Sequence, residues 1–155
     1  MLFRSDAVVS RAQDSVARLG RPLDALLVHS AQDLLTPDGP ALWGALERMR
    51  VAGDVGRIGI SFYASDAIIE MAERFRPQVV QIAASFVDQR LARAGVLRAL
   101  ADRGVEIHAR SAFHQGLIFL DPDALPEKLR GRRAEVRSEE HTSELQSHSF
   151  ISYAV

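Results

Sequence analysis

Four apolar runs in this chain end in, or are interrupted by, polar side chains able to do chemistry. "LDALLVH" ends on His29, "VGRIGIS" ends on Ser61, "QVVQIAA" contains Gln81, and "VEIHARS" closes on Arg110 and Ser111. A histidine can donate to, or orient, a reacting oxygen near neutral pH. Each residue taken alone also has a plain structural reading. His29 could be a satisfied strand-end histidine, Gln81 a partner for backbone or water, and Ser61 and Ser111 ordinary turn residues. Tyr63 is a proton donor by residue type only. His108 stands two residues before Arg110 and shares its face by the strand period of two, but its deeper position favours a structural role. The chain has no H-E-x-x-H, no other metal spacing and no cysteine, so no metal site is expected.

Something must bring the ends of those runs together. Between them lie segments with helical spacing. Val8, Val9, Ala12, Val16 and Leu19 fall near one helical face, and Gly20 stops that helix. Leu42, Ala45, Leu46 and Met49 follow i, i+3, i+4, i+7, with Gly53 as the C-cap. Ser65 is expected to cap a helix through "DAIIEMAERF", and "QRLARAGVLRALADR" reads as one helix closed by Gly104. "DPDALPEKLRG" reads as a further short helix. The nearly continuous apolar strands are those of a parallel sheet covered on both faces. Right-handed βαβ crossovers then follow, and two architectures fit: a (β/α)8 barrel or a doubly wound open sheet. No G-x-G-x-x-G follows a strand, which weakens the open-sheet dinucleotide fingerprint, and no P-loop is present. In either architecture ligands bind at the C-terminal strand ends, where His29, Ser61, Gln81 and Arg110 stand.

Composition narrows the partners. The chain has 155 residues, 47% of them hydrophobic, and a net charge of −1. It offers no basic surplus for nucleic acid or anionic lipid. No apolar run approaches the roughly 20 residues that cross a bilayer. The N-terminus turns polar too early for a secretory signal. A cytoplasmic protein is the expectation, and the sequence sets no oligomeric state.

The segment 137–155, "RSEEHTSELQSHSFISYAV", lacks any periodicity. It resembles the in-frame translation of a DNA-sequencing adapter, with "HSF" where a variable index would be read. A disordered arm is the other reading. Residues 1–136 are therefore read as the structural domain and 137–155 as a non-native tail. The body is then nearly neutral, with 18 basic against 17 acidic residues after removal of one Arg and three Glu from the totals.

Four stretches, "RLGRPLDALLVHS", "ALERMRVAGDVGRIGIS", "PQVVQIAAS" and "RGVEIHARSAFHQG", occur in an order and spacing that resemble the second half of an aldo-keto reductase barrel. The similarity covers residues 6–120. It implies an α/β fold, a partial (β/α)8 barrel of about four parallel strands alternating with helices. It also implies an NADPH- or NADH-dependent reduction of a small carbonyl substrate, an aldehyde or ketone. His29 matches the family histidine that orients the carbonyl. Ser61 and Gln81 match residues that bind the nicotinamide amide. Arg110 stands where many members place an aromatic ring against the nicotinamide, and a planar guanidinium can stack there. Ser111, Gly116 and Leu117 match the segment along the cofactor pyrophosphate. Phe62 departs from the common Asn. The family's Tyr, Lys and Asp fall on strands that would precede Met1, so the chain by itself is expected to be inactive. Two other readings remain: a non-catalytic cofactor-binding or regulatory subunit of the same fold, and a different (β/α)8 enzyme such as a lyase or isomerase.

Overall fold

The computed structural model describes residues 5–85, 88–113, 119, 121 and 127. The chain divides into two compact units. The first comprises Met1–Ala83 and Arg90–Arg110, the second Ala84–Gln89 and Ser111–Val155.

The first unit alternates helix and strand. Helix α1, Ser5–Leu19, precedes strand β1, Leu23–Val28, and a 3-10 turn over Ala31–Leu35. Helix α2, Gly39–Ala52, leads to β2, Val55–Phe62. Helix α3, Ile68–Phe75, leads to β3, Val79–Ala83. Helices α4, Arg90–Arg93, and α5, Val96–Ala101, precede β4, Glu106–Arg110. The four strands pair in the order β1-β2-β3-β4, every pair parallel. Spatial order follows chain order without reversal. A doubly wound sheet reverses direction part-way. A sheet that keeps adding strands on one side is the pattern of a (β/α)8 barrel.

Two helix boundaries differ from the sequence expectation. Ser65 does not cap α3: the helix begins at Ile68, after Ala67, and has no side-chain cap. Asp66 instead turns the chain, its Oδ2 accepting the Tyr63 backbone N–H at 2.7 Å. The single helix expected across 89–103 is two, α4 and α5, because Gly95 adopts a left-handed φ of 73° between them. An L side chain would resist that φ, and Gly does not. The short helix read in 121–131 lies largely outside the described residues.

Period two divides the sheet into two faces. Val28, Ile58, Ile60, Phe62, Val80 and Ile82 share one face, and all are buried. The α2 face expected from sequence is also buried, with Leu42, Ala45, Leu46 and Met49 all in the core. Burying one such aliphatic or aromatic side chain stabilises by about 1.5–3 kcal/mol. Between α2 and α3, Trp43 and Phe75 pack with ring centroids 5.6 Å apart and planes tilted by 60°.

In the second unit Ser85 and Asp88 close a tight turn, the Asp88 N–H donating to Ser85 Oγ at 3.0 Å. The rings of Phe113 and Phe119 lie 5.6 Å apart.

Candidate active site

The opposite face of the sheet carries the polar residues. Register sets their alignment. Ser61 pairs with Gln81, and Gln81 pairs with His108. Val28 pairs with Ile60, so His29, the next residue, stands level with Ser61. Ser61, Gln81 and His108 therefore form one row across three strands, with His29 just past the end of β1 beside it. One step further along the strands, Ala83 pairs with Arg110.

Ser61 is 3% exposed, the one buried polar residue among the described residues. Its Oγ donates to Gln81 Oε1 at 3.4 Å. That bond leaves the Gln81 amide N–H groups and the Ser61 oxygen lone pairs available. Among the described residues neither has another partner. His29 is exposed beyond the end of β1.

Arg110 is held from two sides. Its Nη2 donates to the Phe62 carbonyl at 3.1 Å, and its guanidinium lies 4.6 Å from the Tyr63 ring centroid. Among the described residues its Nε is buried without a hydrogen-bond partner. A buried donor left unpaired is costly, and an incoming acceptor would relieve it. Tyr63, read from its type as a proton donor, here offers its ring face to a cation. Phe62, which stands where Asn is common, points its side chain into the core and presents its carbonyl to Arg110. Asp66 also joins two strand-end loops, accepting from Gln32 Nε2 at 3.1 Å.

Ser111 opens the second unit in a left-handed conformation, φ 59°. A non-glycine residue held there stores strain, a state that concentrates at functional positions. Gly116 and Leu117 lie outside the described residues.

Sequence reasoning missed Arg57 and Glu106. Arg57 shares the polar face with Ser61 by period two, as Glu106 does with His108 and Arg110. Arg57 Nη1 bonds Glu106 Oε2, and Glu106 Oε1 meets His108 Nε2 at 2.6 Å. Hydrogen bonds from His108, then from Arg57, hold the Glu106 carboxyl below its ordinary range. The signal was available in the sequence: Arg57 interrupts the apolar run of β2, and Glu106 stands two residues before His108. His108 was expected to lie deeper along its strand than Arg110, and it stands two residues earlier in β4. The register places it level with Gln81, and it is exposed.

An open groove of about 620 Å³ lies at the other end of β1 and β2. Its cations Arg21, Arg50 and Arg57 already pair with Asp24, Glu47 and Glu106. Among the described residues no three His, Asp or Glu side chains gather to hold a metal ion. No helix there is long and apolar enough to cross a membrane.

The family model for the aldo/keto reductases matches residues 2–148. The chain belongs to the aldo/keto reductase family. Among solved structures, the aldo-keto reductase AKR11C1 from Bacillus halodurans, in its holo form, is similar at 25% identity and a TM-score of 0.64. The match covers 79% of this chain and 41% of that one. An aldo-keto reductase from Bombyx mori, solved in complex with NADP, shares the fold at 21% identity and a TM-score of 0.54, over 71% of this chain and 38% of its own. The chain thus spans about two fifths of the length of these solved aldo-keto reductases. No curated protein sequence matches it. Membership in the aldo/keto reductases agrees with the sheet order, which extends a barrel one strand at a time.

Proposed function

We propose that this chain carries the carbonyl-orienting and nicotinamide-binding side of an oxidoreductase that reduces an aldehyde or ketone to an alcohol with NADPH or NADH. The observation that supports it best is the pairing of Ser61 on β2 with Gln81 on β3, with His29 directly after the end of β1. The donor set suits an amide-bearing cofactor. Gln81 has free N–H donors, the Ser61 hydroxyl oxygen can accept, and Arg110 presents a planar guanidinium with an unpaired Nε. When bound, the cofactor supplies the hydride. Gln81 and Ser61 would hold its carboxamide and Arg110 would lie against its ring. His29 would donate to the carbonyl oxygen and fix its direction before charge develops there, which is electrostatic preorganisation.

The resemblance assigns the proton to a tyrosine outside this sequence. We therefore expect the 155-residue chain to bind cofactor without turnover, and we place it in the cytoplasm. NADPH fluorescence titration tests the reading. Gln81→Ala should weaken binding, while His29→Ala should leave it nearly unchanged. In a protein completed with its remaining strands, His29→Ala should lower kcat by about 10²–10³. Absence of NADPH and NADH binding by the folded chain would overturn the proposal. Near-normal kcat in His29→Ala would return that histidine to a structural role.

A further inference from the structure

We infer that Arg57, Glu106 and His108 form a charged crossbar that positions the Gln81 amide, with His108 as the positioning residue beside it. The inference deepens the reading of the site as an amide-binding one. Its geometry stands on the strands alone.

Arg57 leaves β2 one period below Gly59, while Glu106 belongs to the row Leu27–Gly59–Val79–Glu106. To reach Glu106, the arginine must cross β3. Gly59, beside Val79 in that row, can carry no side chain: a β-carbon there would sit 2.1 Å from the Val79 carbonyl oxygen. The crossbar therefore spans β2 to β4 over Val79, two residues below Gln81. It ends on the His108 ring, which the register sets beside Gln81.

The chemistry fixes the ring. An ionised carboxylate only accepts, so the 2.6 Å contact requires a proton on His108 Nε2. That leaves Nδ1 as the ring's remaining polar atom. Glu106 stays ionised because two donors, Arg57 and His108, hold it. On the other flank, Ser61 grips Gln81 only through the long 3.4 Å bond to Oε1. A long amide held weakly at one atom has rotamers to lose on binding. A fixed ring on the far flank removes some of them in advance.

The first test needs no variant. Histidine ring ¹⁵N spectra of the whole chain at neutral pH should show the His108 proton on Nε2. A proton on Nδ1 with Nε2 bare would overturn the inference. The second test reads the Gln81 side-chain NH2 signals, assigned by their loss in Gln81→Glu. His108→Phe keeps a ring and removes its nitrogens, and Glu106→Gln removes the charge. Both should move the Gln81 signals while the β3 backbone amides stay in place, and Arg57→Lys should move them less than Arg57→Ala. Unmoved Gln81 signals in a folded His108→Phe protein would overturn it. NADPH affinity in His108→Phe should fall about fivefold, the cost of ordering one more side chain on binding. If the unaltered chain binds no cofactor yet Gln81 responds to His108, the crossbar stands and the functional reading fails.

Discussion

The two faces of the same sheet are built by opposite rules. On the helix-covered face, Val28, Ile58, Ile60, Phe62, Val80 and Ile82 are all buried and carry no polar atom beyond the backbone. On the other, Arg57, Ser61, Gln81, Glu106, His108 and Arg110 alternate with them one residue out of phase. The apolar face gains by removing area from water and is indifferent to which hydrophobe fills it, within volume limits. The polar face stabilises little, since its ion pairs are part-exposed, but each of its atoms has a direction. Stability and chemistry are thus separated at a distance of one residue. A strand slipped by one position would exchange them completely.

Breaking the apolar face should give the largest effect. Phe62→Ala removes a fully buried ring and should cost about 3–5 kcal/mol, read as a lower denaturation midpoint. It should also loosen Arg110, whose Nη2 rests on the Phe62 carbonyl. A loss below about 1 kcal/mol would mean the helix-side core is not closed as described.

Gly59→Ala comes next and attacks the seam between β2 and β3. Its new methyl would meet the Val79 backbone at 2.1 Å, so β2 and β3 must separate locally. Overpacking of this kind costs about 1–3 kcal/mol. Amide hydrogen exchange should rise at Ile60 and Gln81 ahead of β1. Uniform acceleration across all four strands would deny the seam its special place.

How much of this could be read from sequence follows from the same division. Period two and helical spacing exposed the apolar face, because burial repeats regularly: Leu42, Ala45, Leu46 and Met49 lie where the spacing put them. The polar residues His29, Ser61, Gln81 and Arg110 were visible because polarity interrupts an apolar run. The alignment of His108 with Gln81 was not, because it depends on register with the neighbouring strand, and no local pattern encodes register between parallel strands. The break between α4 and α5 was missed because a mid-helix glycine is often tolerated, and φ at Gly95 is settled by packing. The turn before α3 went to Asp66 rather than Ser65, two residues that compete for the same work within one bend.

A smaller effect sharpens the polar side. Folding lowers the Glu106 pKa, through His108 first and Arg57 second. A lowered folded value means that stabilisation is present above the ordinary glutamate range and disappears as pH falls through the folded value. Glu106→Gln should therefore melt below the unaltered chain at neutral pH and converge with it in acid. The side chain is 45% exposed, so solvent screening keeps the difference within about 1 kcal/mol, and added salt should shrink it. A gap that persists in acid would assign the loss to packing rather than charge.

The smallest expected effect is none at all. Residues 137–155 match no structural period, and their resemblance to translated adapter sequence gives no reason for them to pack. The family match nevertheless runs to residue 148 and so takes in part of this segment. The two readings differ in what removal does. If the segment is foreign, a chain ending at Val136 should keep the melting temperature and the NADPH affinity of the full chain, since no buried area is lost. If it belongs to the barrel, burial of Phe150, Ile151 and Tyr153 would be forfeited. Even one such side chain is worth about 1.5–3 kcal/mol, enough to move the midpoint by several degrees in a domain of this size. A drop of that size on deletion would make the segment native and extend the structural domain past residue 136.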